Sequence, residues 1–407
     1  MKYLRIISRI LIGVMFIFSG LTKAIDPIGS GFIIAEYLNA LGLNFLIPFS
    51  VIGGIAQSMV EFLLGVALIV GLRMRLSTLF SMLIMVFFTF FTLWVALYNP
   101  VSHCGCFGDV LLLSNWETFY KNLIFTPFTI FLFLQRKHFV PTTRKIGEWI
   151  ALSVTCLASV LLSLYCFRYL PLIDFTGFKP GTHIPEAMTV PEGEAPQFET
   201  TFVYEKDSKT QIFTINNLPD STWKYVSHNT KIVKEGATPL ISRFEIGDYK
   251  ENRYVTDSIL SLKGHLLVLT IPYAEKVKFD ALERVAALSI EVPMILLSGS
   301  VEDETISLLG RYGIDVPYFY TDIKTLFTMV RANPGLMLLH DATVVAKWSM
   351  YNTPSVPHIK SIMGSDSEIV SAKSKMEEHL VMGFFILFFS LLLFVLNRFF
   401  RHVARKS

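Results

Sequence analysis

Only four cysteines occur in 407 residues, and all of them, Cys104, Cys106, Cys156 and Cys166, precede residue 170. The remainder of the chain can therefore hold neither a disulfide framework nor a cysteine nucleophile. Charge is scarce as well, at 17% of residues with a net +3. That leaves no broad basic surface for nucleic acid, and aromatic and basic residues do not interleave as in single-strand binders. Low-complexity runs and repeats of solenoid period are also missing. What the chain has in quantity is apolar surface, with 52% hydrophobic residues and a mean hydropathy of +0.50. This balance belongs to a membrane protein long enough for two or three domains.

A bilayer-spanning helix needs roughly 20 mostly apolar residues. Five stretches before residue 170 approach that standard, at about 6–23, 50–72, 77–98, 118–135 and 149–167, and a sixth lies at about 380–397. The expected division is a four-helix membrane domain over 1–140, a fifth helix over 141–172, an extracytoplasmic domain over 173–376, and a sixth helix with a basic tail over 377–407. Lys and Arg in short connections set orientation. Lys2, Arg5 and Arg9 open the first span, Arg73 and Arg75 follow the second, Arg136, Lys137, Arg144 and Lys145 follow the fourth, and Arg398, Arg401, Arg405 and Lys406 follow the sixth. The alternate connections hold only Lys23 and Lys121. The expectation is a multi-pass protein of the bacterial cytoplasmic membrane with both termini cytoplasmic and the large domain outside. Lys23 beside LTKA argues against reading the first span as a cleaved signal peptide.

The third and fourth spans are joined by NPVSHCGCFGDVLLLSNWE, which carries Cys104 and Cys106 separated by Gly105. Disulfide geometry needs Cα atoms roughly 4.4 to 6.8 Å apart, which a Cys-Gly-Cys turn reaches by bending at the glycine. Strained, exposed disulfides of this kind are labile and oxidising. His103, when protonated, favours a thiolate on Cys104. Three readings stay open: a cycling redox pair, a fixed structural disulfide, either within the pair or joining one of these residues to Cys166, and a metal site drawing on His103, Cys104, Cys106 and Asp109. Cys156 and Cys166 cannot pair within one helix, since ten residues rise about 15 Å. Cys166, near the outer end of the fifth span, is the candidate resolving thiol, with a small apolar packing role as its alternative; Cys156 reads as packing.

Within the second span, Glu61 has Gln57 one turn before it. An ionisable group in the bilayer is costly, so it marks either a proton relay or quinone headgroup site, or a neutral or paired residue holding helices together. No cofactor is otherwise evident. Arg9 is expected to snorkel to the interface, Ser114 with Glu117 to form a capping box, and Pro127 to bend the fourth span.

From about residue 196 the pattern changes to strands and turns: a hairpin around Lys206, Asp207 and Ser208, then a strand pair in WKYVSHNTKIVKEG. After 250 the order is strand (265–271), helix in KFDALERVAAL, strand (292–299), helix in ETISLLGRYG, and two strands over 333–348 turning at Asp341 and Ala342.

RILIGVMFIFSGLTKAIDP, VEFLLGVALIVGLRMR and HCGCFGD followed by NWETFYKNL resemble the DoxX-like superfamily, and the CGCFG form resembles its MauE-like branch, named for methylamine utilisation. The resemblance covers roughly 1–140 and is most specific at Cys104, Cys106, Phe107 and Gly108. It implies a four-helix membrane unit associated with redox maturation of extracytoplasmic proteins. The β-α-β-α-β-β order over 250–356, after a β-rich lead-in over 196–250, resembles the thioredoxin-like fold, with Pro334 where such proteins carry a cis-proline. Where that fold places a thiol after its first strand, this chain reads PYAEKVKFD, so the domain cannot itself exchange thiols. A DoxX-like unit fused to a cysteine-free thioredoxin-like domain is similar to bacterial membrane proteins labelled DoxX family protein.

The expected fold class is thus an α-helical membrane bundle, a four-helix unit plus two further helices, with an extracytoplasmic α/β thioredoxin-like domain. The expected partners are the lipid bilayer and an extracytoplasmic protein thiol or disulfide. Cys104 and Cys106 would exchange with it, and the surface around Pro334 would present or receive it. The rival from another class is a non-catalytic assembly factor or receptor whose cysteine pair is structural. A transporter would want inverted repeats or broken helices, which the sequence does not show. Oligomeric state is not legible.

Overall fold

The protein is described from a computed structural model covering residues 1–101, 104–139, 145–190, 197–206, 209–214, 217–220, 222–234, 239–242, 244–277 and 282–365, with scattered positions to 390. The sixth span, expected at 380–397, falls largely outside the described residues, and so does His103.

The first 168 residues form a helical bundle. Helix α1 (Lys2–Ile25) ends at Asp26, whose side chain accepts from Gly29 N at 2.8 Å and starts α2 (Pro27–Ala40) with Pro27 at its first position. This is the N-cap arrangement that Asp followed by Pro favours. A 3-10 turn (Asn44–Phe49) leads into α3 (Ser50–Val70), which Gly71 closes at φ 88°. Then come α4 (Met74–Tyr98), the cysteine loop, α5 (Asn115–Leu134) and α6 (Lys145–Arg168). The capping box of Ser114 and Glu117 is present at the start of α5. The helix α2 has no counterpart among the sequence expectations, and it becomes the wall of the site.

Among the described residues, four segments are long and apolar enough to cross a membrane, Tyr3–Ile25, Asn44–Val70, Met74–Tyr98 and Lys145–Arg168; the expected span at 118–135 is helix α5 but is not one of them. Their outward faces support the same reading. On α1 the residues Ile7, Leu11, Val14 and Phe18 are exposed, and on α4 Leu76, Phe80, Leu83, Phe87 and Phe90 are. Each set recurs at three- and four-residue spacing, so each helix presents one continuous apolar stripe outward, a surface suited to lipid and costly in water. Inside, α1 and α3 approach closely through small residues. A side chain at Gly20 would lie 2.5 Å from Phe62 N, and one at Gly65 would lie 2.6 Å from Ile17 N. Between α4 and α5, polar groups bond across the interface, Thr89 to Thr126 at 2.7 Å and Asn122 to Thr92 at 3.2 Å. Small-residue contact and interhelical hydrogen bonds are what hold helices together where lipid offers no hydrophobic drive.

Beyond a short helix α7 (Ile184–Ala187), strands β1 (Gln197–Lys206), β2 (Lys209–Thr214) and β3 (Lys224–Lys234) form an antiparallel sheet ordered β2-β1-β3. The expected hairpin at Lys206 is there, with Lys206 opposite Lys209. The expected strand pair in WKYVSHNTKIVKEG is instead a single 11-residue strand against β1. Asn229, the turn-favouring residue at its centre, pairs with Thr201 of β1 instead of reversing the chain, and two register irregularities absorb the mismatch with β1.

The α/β domain proper follows helix α8 (Thr256–Leu260). It contains β4 (His265–Ile271), α9 (Glu283–Glu291), β5 (Met294–Ser298), α10 (Glu302–Tyr312), β6 (Tyr318–Tyr320), α11 (Ile323–Met329), β7 (Gly335–His340), β8 (Thr343–Ser349) and α12 (Val356–Met363). The sheet order is β6-β5-β4-β7-β8, with β4, β5 and β6 parallel and β7 and β8 antiparallel to their neighbours. Asp341 and Ala342 turn the β7–β8 hairpin at φ 45° and 59°. Central strands alternate between two covered faces. Leu267, Leu269, Leu296 and Leu338 pack under α9, α10 and α12, whereas Leu266, Val268, Ile295 and Met337 pack with α8, α11, Phe178 and Phe244. The short β6 and α11 lie between α10 and β7, in PYFYTDIKTLFTMV, which the sequence pattern did not resolve. The segment from α11 to β7 is what joins this domain to the bundle.

Candidate functional site

The cysteine loop leaves α4 at Asn99, which takes φ 46°, and is pinned at its entry by Asn115 Nδ2, donating to Asn99 Oδ1 at 3.1 Å and to Val101 O at 2.9 Å. Gly105 bends the chain at φ 66°, and Gly108 N closes the turn onto Gly105 O at 3.0 Å. Gly105 also lies against α2, where a side chain would come within 2.0 Å of Ile33 Cδ1. Both requirements, a left-handed backbone and a bare Cα, select glycine. The bend brings Cys104 Sγ and Cys106 Sγ to 3.2 Å from each other, both as free thiols. Cys104 is buried at 7% exposure and Cys106 is partly exposed.

Each thiol's backbone is anchored from the bundle. Tyr37 OH on α2 donates to Cys104 O at 3.0 Å. Ser19 Oγ donates to Cys106 O at 2.7 Å, and Lys23 Nζ donates to the same carbonyl. Lys23 Nζ is at the same time 2.7 Å from Ser19 Oγ and 2.8 Å from Glu61 Oε2, while Gln57 donates to the other oxygen of Glu61 at 2.9 Å. Lys23 and Glu61 are both buried. The sequence treated Lys23 as a loop charge of the outer connection; it belongs instead to a buried ion pair under the dithiol. An amphipathic pattern cannot show this, because the last turn of a span is where a snorkelling lysine is also expected.

The electrostatics of the two thiols differ. The hydrogen bond from Cys104 pulls the Cys106 thiol down to about 6, helped by the Lys121 and Lys23 cations and opposed by burial and Glu61. Cys104 moves upward through the same sulfur–sulfur contact, through burial, and through the neighbouring Cys106 charge. Lys121 Nζ stands 4.3 Å over the Phe107 ring, which meets Phe18 edge-on at 5.3 Å. Such asymmetry is the pattern of a reactive thiol with a protonated neighbour.

The α/β domain closes over the loop. Arg331 Nη2 is 2.6 Å from Asp109 Oδ2 and 2.9 Å from Asp26 Oδ2, and Arg331 Nε adds a 3.0 Å bond to Asp26. Its Nη1 donates to Phe327 O at 3.0 Å, so every face of the guanidinium is used. Phe32 meets Phe327 at 5.2 Å, and Lys324 pairs with Glu36 at 2.5 Å. Pro334, joined to Asn333 by a cis bond, therefore faces the bundle rather than open solvent.

Cys166 is buried in a packed cluster with Ala24 and Leu162, and Cys156 donates to Met59 Sδ at 3.3 Å, so the structure brings neither to the loop thiols. Among the described residues, voids of about 30 and 70 Å³ adjoin the dithiol, sharing Lys23, Gln57, Phe88 and Cys106 as walls. Each is space for water, below the roughly 300–1,000 Å³ of organic ligand pockets. Among the described residues, no three of His, Cys, Asp and Glu converge as metal ligands.

Fold and site together define an integral-membrane helical bundle bearing a cysteine loop and a docked α/β domain. Residues 1–135 match the family of methylamine utilisation protein MauE, so the bundle is MauE-like, and the match spans Ser19, Lys23, Glu61, Cys104, Cys106 and Asp109. Residues 198–235, the β1–β3 sheet, match a domain family of unknown function. No curated protein and no solved structure matches the chain.

Proposed function

We propose that this chain is a membrane thiol–disulfide exchange protein whose Cys104–Cys106 pair serves the maturation of an extracytoplasmic partner. The observation that carries the reading is the pair of free thiols 3.2 Å apart on a glycine turn, Cys106 partly exposed and Cys104 buried. In the reduced state the Cys106 thiolate attacks a partner disulfide, forming a mixed disulfide and freeing one partner thiolate. Cys104 then gives its proton to that thiolate and attacks Cys106 Sγ, and the second partner sulfur leaves. Two electrons pass to the partner and the loop becomes a Cys104–Cys106 disulfide; the reverse sequence oxidises a partner.

The match of residues 1–135 to the methylamine utilisation family supports a maturation-associated membrane role, and the thiol exchange rests on the cysteine geometry alone. The sheet order β6-β5-β4-β7-β8, with Pro334 immediately before β7, supports a thioredoxin-like reading of the α/β domain. Lacking cysteine, that domain acts as a docked cover over the loop. The basic residues of the short connections support cytoplasmic termini and an extracytoplasmic loop and domain.

Differential alkylation with mass spectrometry on intact membranes tests the proposal. A Cys104–Cys106 bond that follows added mild reductant, together with loss of partner maturation in both Cys104→Ser and Cys106→Ser at normal insertion, is the expected result. The burial of Cys104 favours a second reading, a staple in a non-catalytic assembly factor. A bond that resists mild reductant and persists throughout would establish it.

A further inference from the structure

The helix α2 separates two spaces. Ile33, Ile34 and Tyr37 face the thiols, whereas Ile28, Gly31, Phe32 and Ala35, a turn apart on the opposite side, line a cavity of about 790 Å³. Its floor is the 3-10 turn before α3 (Ile47, Pro48), one side is the end of α6 (Leu164, Phe167), and its roof is Tyr273, Asn333 and Pro334 of the α/β domain. The volume lies within the range of sites that enclose an organic ligand.

Three features identify the occupant. First, the cavity is lined by Leu164 and Phe167, which are exposed on the outward face of α6, an apolar span that the bilayer would cover. A ligand entering from there carries hydrocarbon. Second, two cations stand among its lining residues, Arg168 stacked 4.3 Å over Tyr351 and Lys276 stacked 4.0 Å over Tyr273. No ion pair engages either among the described residues, so both are free for an anion at the level of the bilayer boundary. Third, the loops that roof the cavity, beside the central strands β4 and β7, offer little to an extended peptide. The Asn333 side chain already accepts from Tyr273 N at 3.3 Å and donates to Tyr273 O at 3.0 Å, and the helical walls have spent their backbone groups internally.

We propose that this cavity binds one anionic phospholipid, with a hydrocarbon chain between α2 and α6 and the phosphate between Arg168 and Lys276. The site is independent of the thiol chemistry.

The test uses the full-length protein in nanodiscs containing phosphatidylglycerol with a photoreactive group in its acyl chain, and a matched phosphatidylcholine probe, with labelled peptides mapped by mass spectrometry. The expected result is labelling of α2, the 44–49 turn and the end of α6, several-fold stronger for phosphatidylglycerol and undiminished by millimolar inorganic phosphate. The Arg168→Gln/Lys276→Gln variant, altered only at exposed positions, should lose the headgroup preference, and Ala35→Trp should block labelling at the cavity. Equal labelling by both probes, no labelling of these segments, or a preference that survives removal of both cations would overturn the proposal. Displacement by inorganic phosphate alone would reduce the site to one for a small anion and overturn it equally.

Discussion

Arg331 of the α/β domain holds Asp109 of the cysteine loop at 2.6 Å, and the same guanidinium reaches Asp26 at the joint of α1 and α2. One side chain thereby ties together three segments that are far apart in sequence. Arg331 is 5% exposed, so the pairing operates where water screens it little. Removing one partner of a buried ion pair costs about 3–5 kcal/mol, because the remaining charge is left uncompensated. Arg331→Met should therefore loosen the docking of the α/β domain without unfolding its sheet, whose two cores contain no part of the clamp. The measurement is the rate of Cys104 alkylation in membranes. It should rise several-fold in Arg331→Met; an unchanged rate would show that the domain does not cover the thiol.

The Lys23–Glu61 pair supports the loop from the membrane side, and its removal can be separated from loss of the loop itself. Lys23→Met leaves Glu61 buried with only Gln57 as partner and removes a donor from Cys106 O. A destabilisation of about 3–5 kcal/mol is expected for either single change, Lys23→Met or Glu61→Gln, and a substantially smaller one for the double variant, which buries no lone charge. Thermal unfolding in detergent, followed for all three, reads this coupling. Additive losses would mean that the two side chains are energetically independent despite the 2.8 Å contact.

Four of the expected spans, the cysteine turn, the capping box at Ser114 and the β7–β8 turn were legible in the sequence because each rests on a local rule: an apolar run, a glycine between cysteines, a Ser with Glu at the third position, a residue pair that tolerates positive φ. The clamp was not. Arg331 sits in a stretch where the strand β6 has only three residues and α11 only seven, too short for periodicity to register. Asp26 reads locally as a helix cap, which it is, and its second role toward Arg331 exists only in three dimensions. Likewise Glu61 was identifiable as a costly buried charge, but its partner lay 38 residues away on another helix.

Gly105 offers a test of the turn that is purely steric. Alanine there meets two obstacles, the positive φ and the Ile33 side chain. A non-glycine residue in the left-handed region costs on the order of 1–2 kcal/mol, and the clash adds to it. Gly105→Ala should slow formation of the Cys104–Cys106 bond under a fixed oxidant, and adding Ile33→Ala should restore part but not all of the rate, since only the clash is relieved. Full restoration would mean that the backbone conformation at residue 105 contributes nothing to pairing the thiols.

The two cysteines should also separate by pH. With its thiol pulled down to about 6 by the Cys104 hydrogen bond and by Lys121 and Lys23, Cys106 is largely thiolate at neutral pH, and Cys104 is not. Iodoacetamide reacts with thiolates, so the alkylation rate of Cys106 in the reduced protein should climb as pH rises through 6 and level off above it. Cys104→Ala removes the largest cause of the shift, and the inflection should then move up toward the ordinary thiol range. Lys121→Met should move it in the same direction by less, because it removes charge without removing the hydrogen bond. A wild-type inflection already in the ordinary range, unmoved by Cys104→Ala, would mean that the 3.2 Å contact does not polarise the pair. In that case the loop would lack the asymmetry that makes Cys106 the attacking sulfur, and the exchange sequence would have to begin elsewhere.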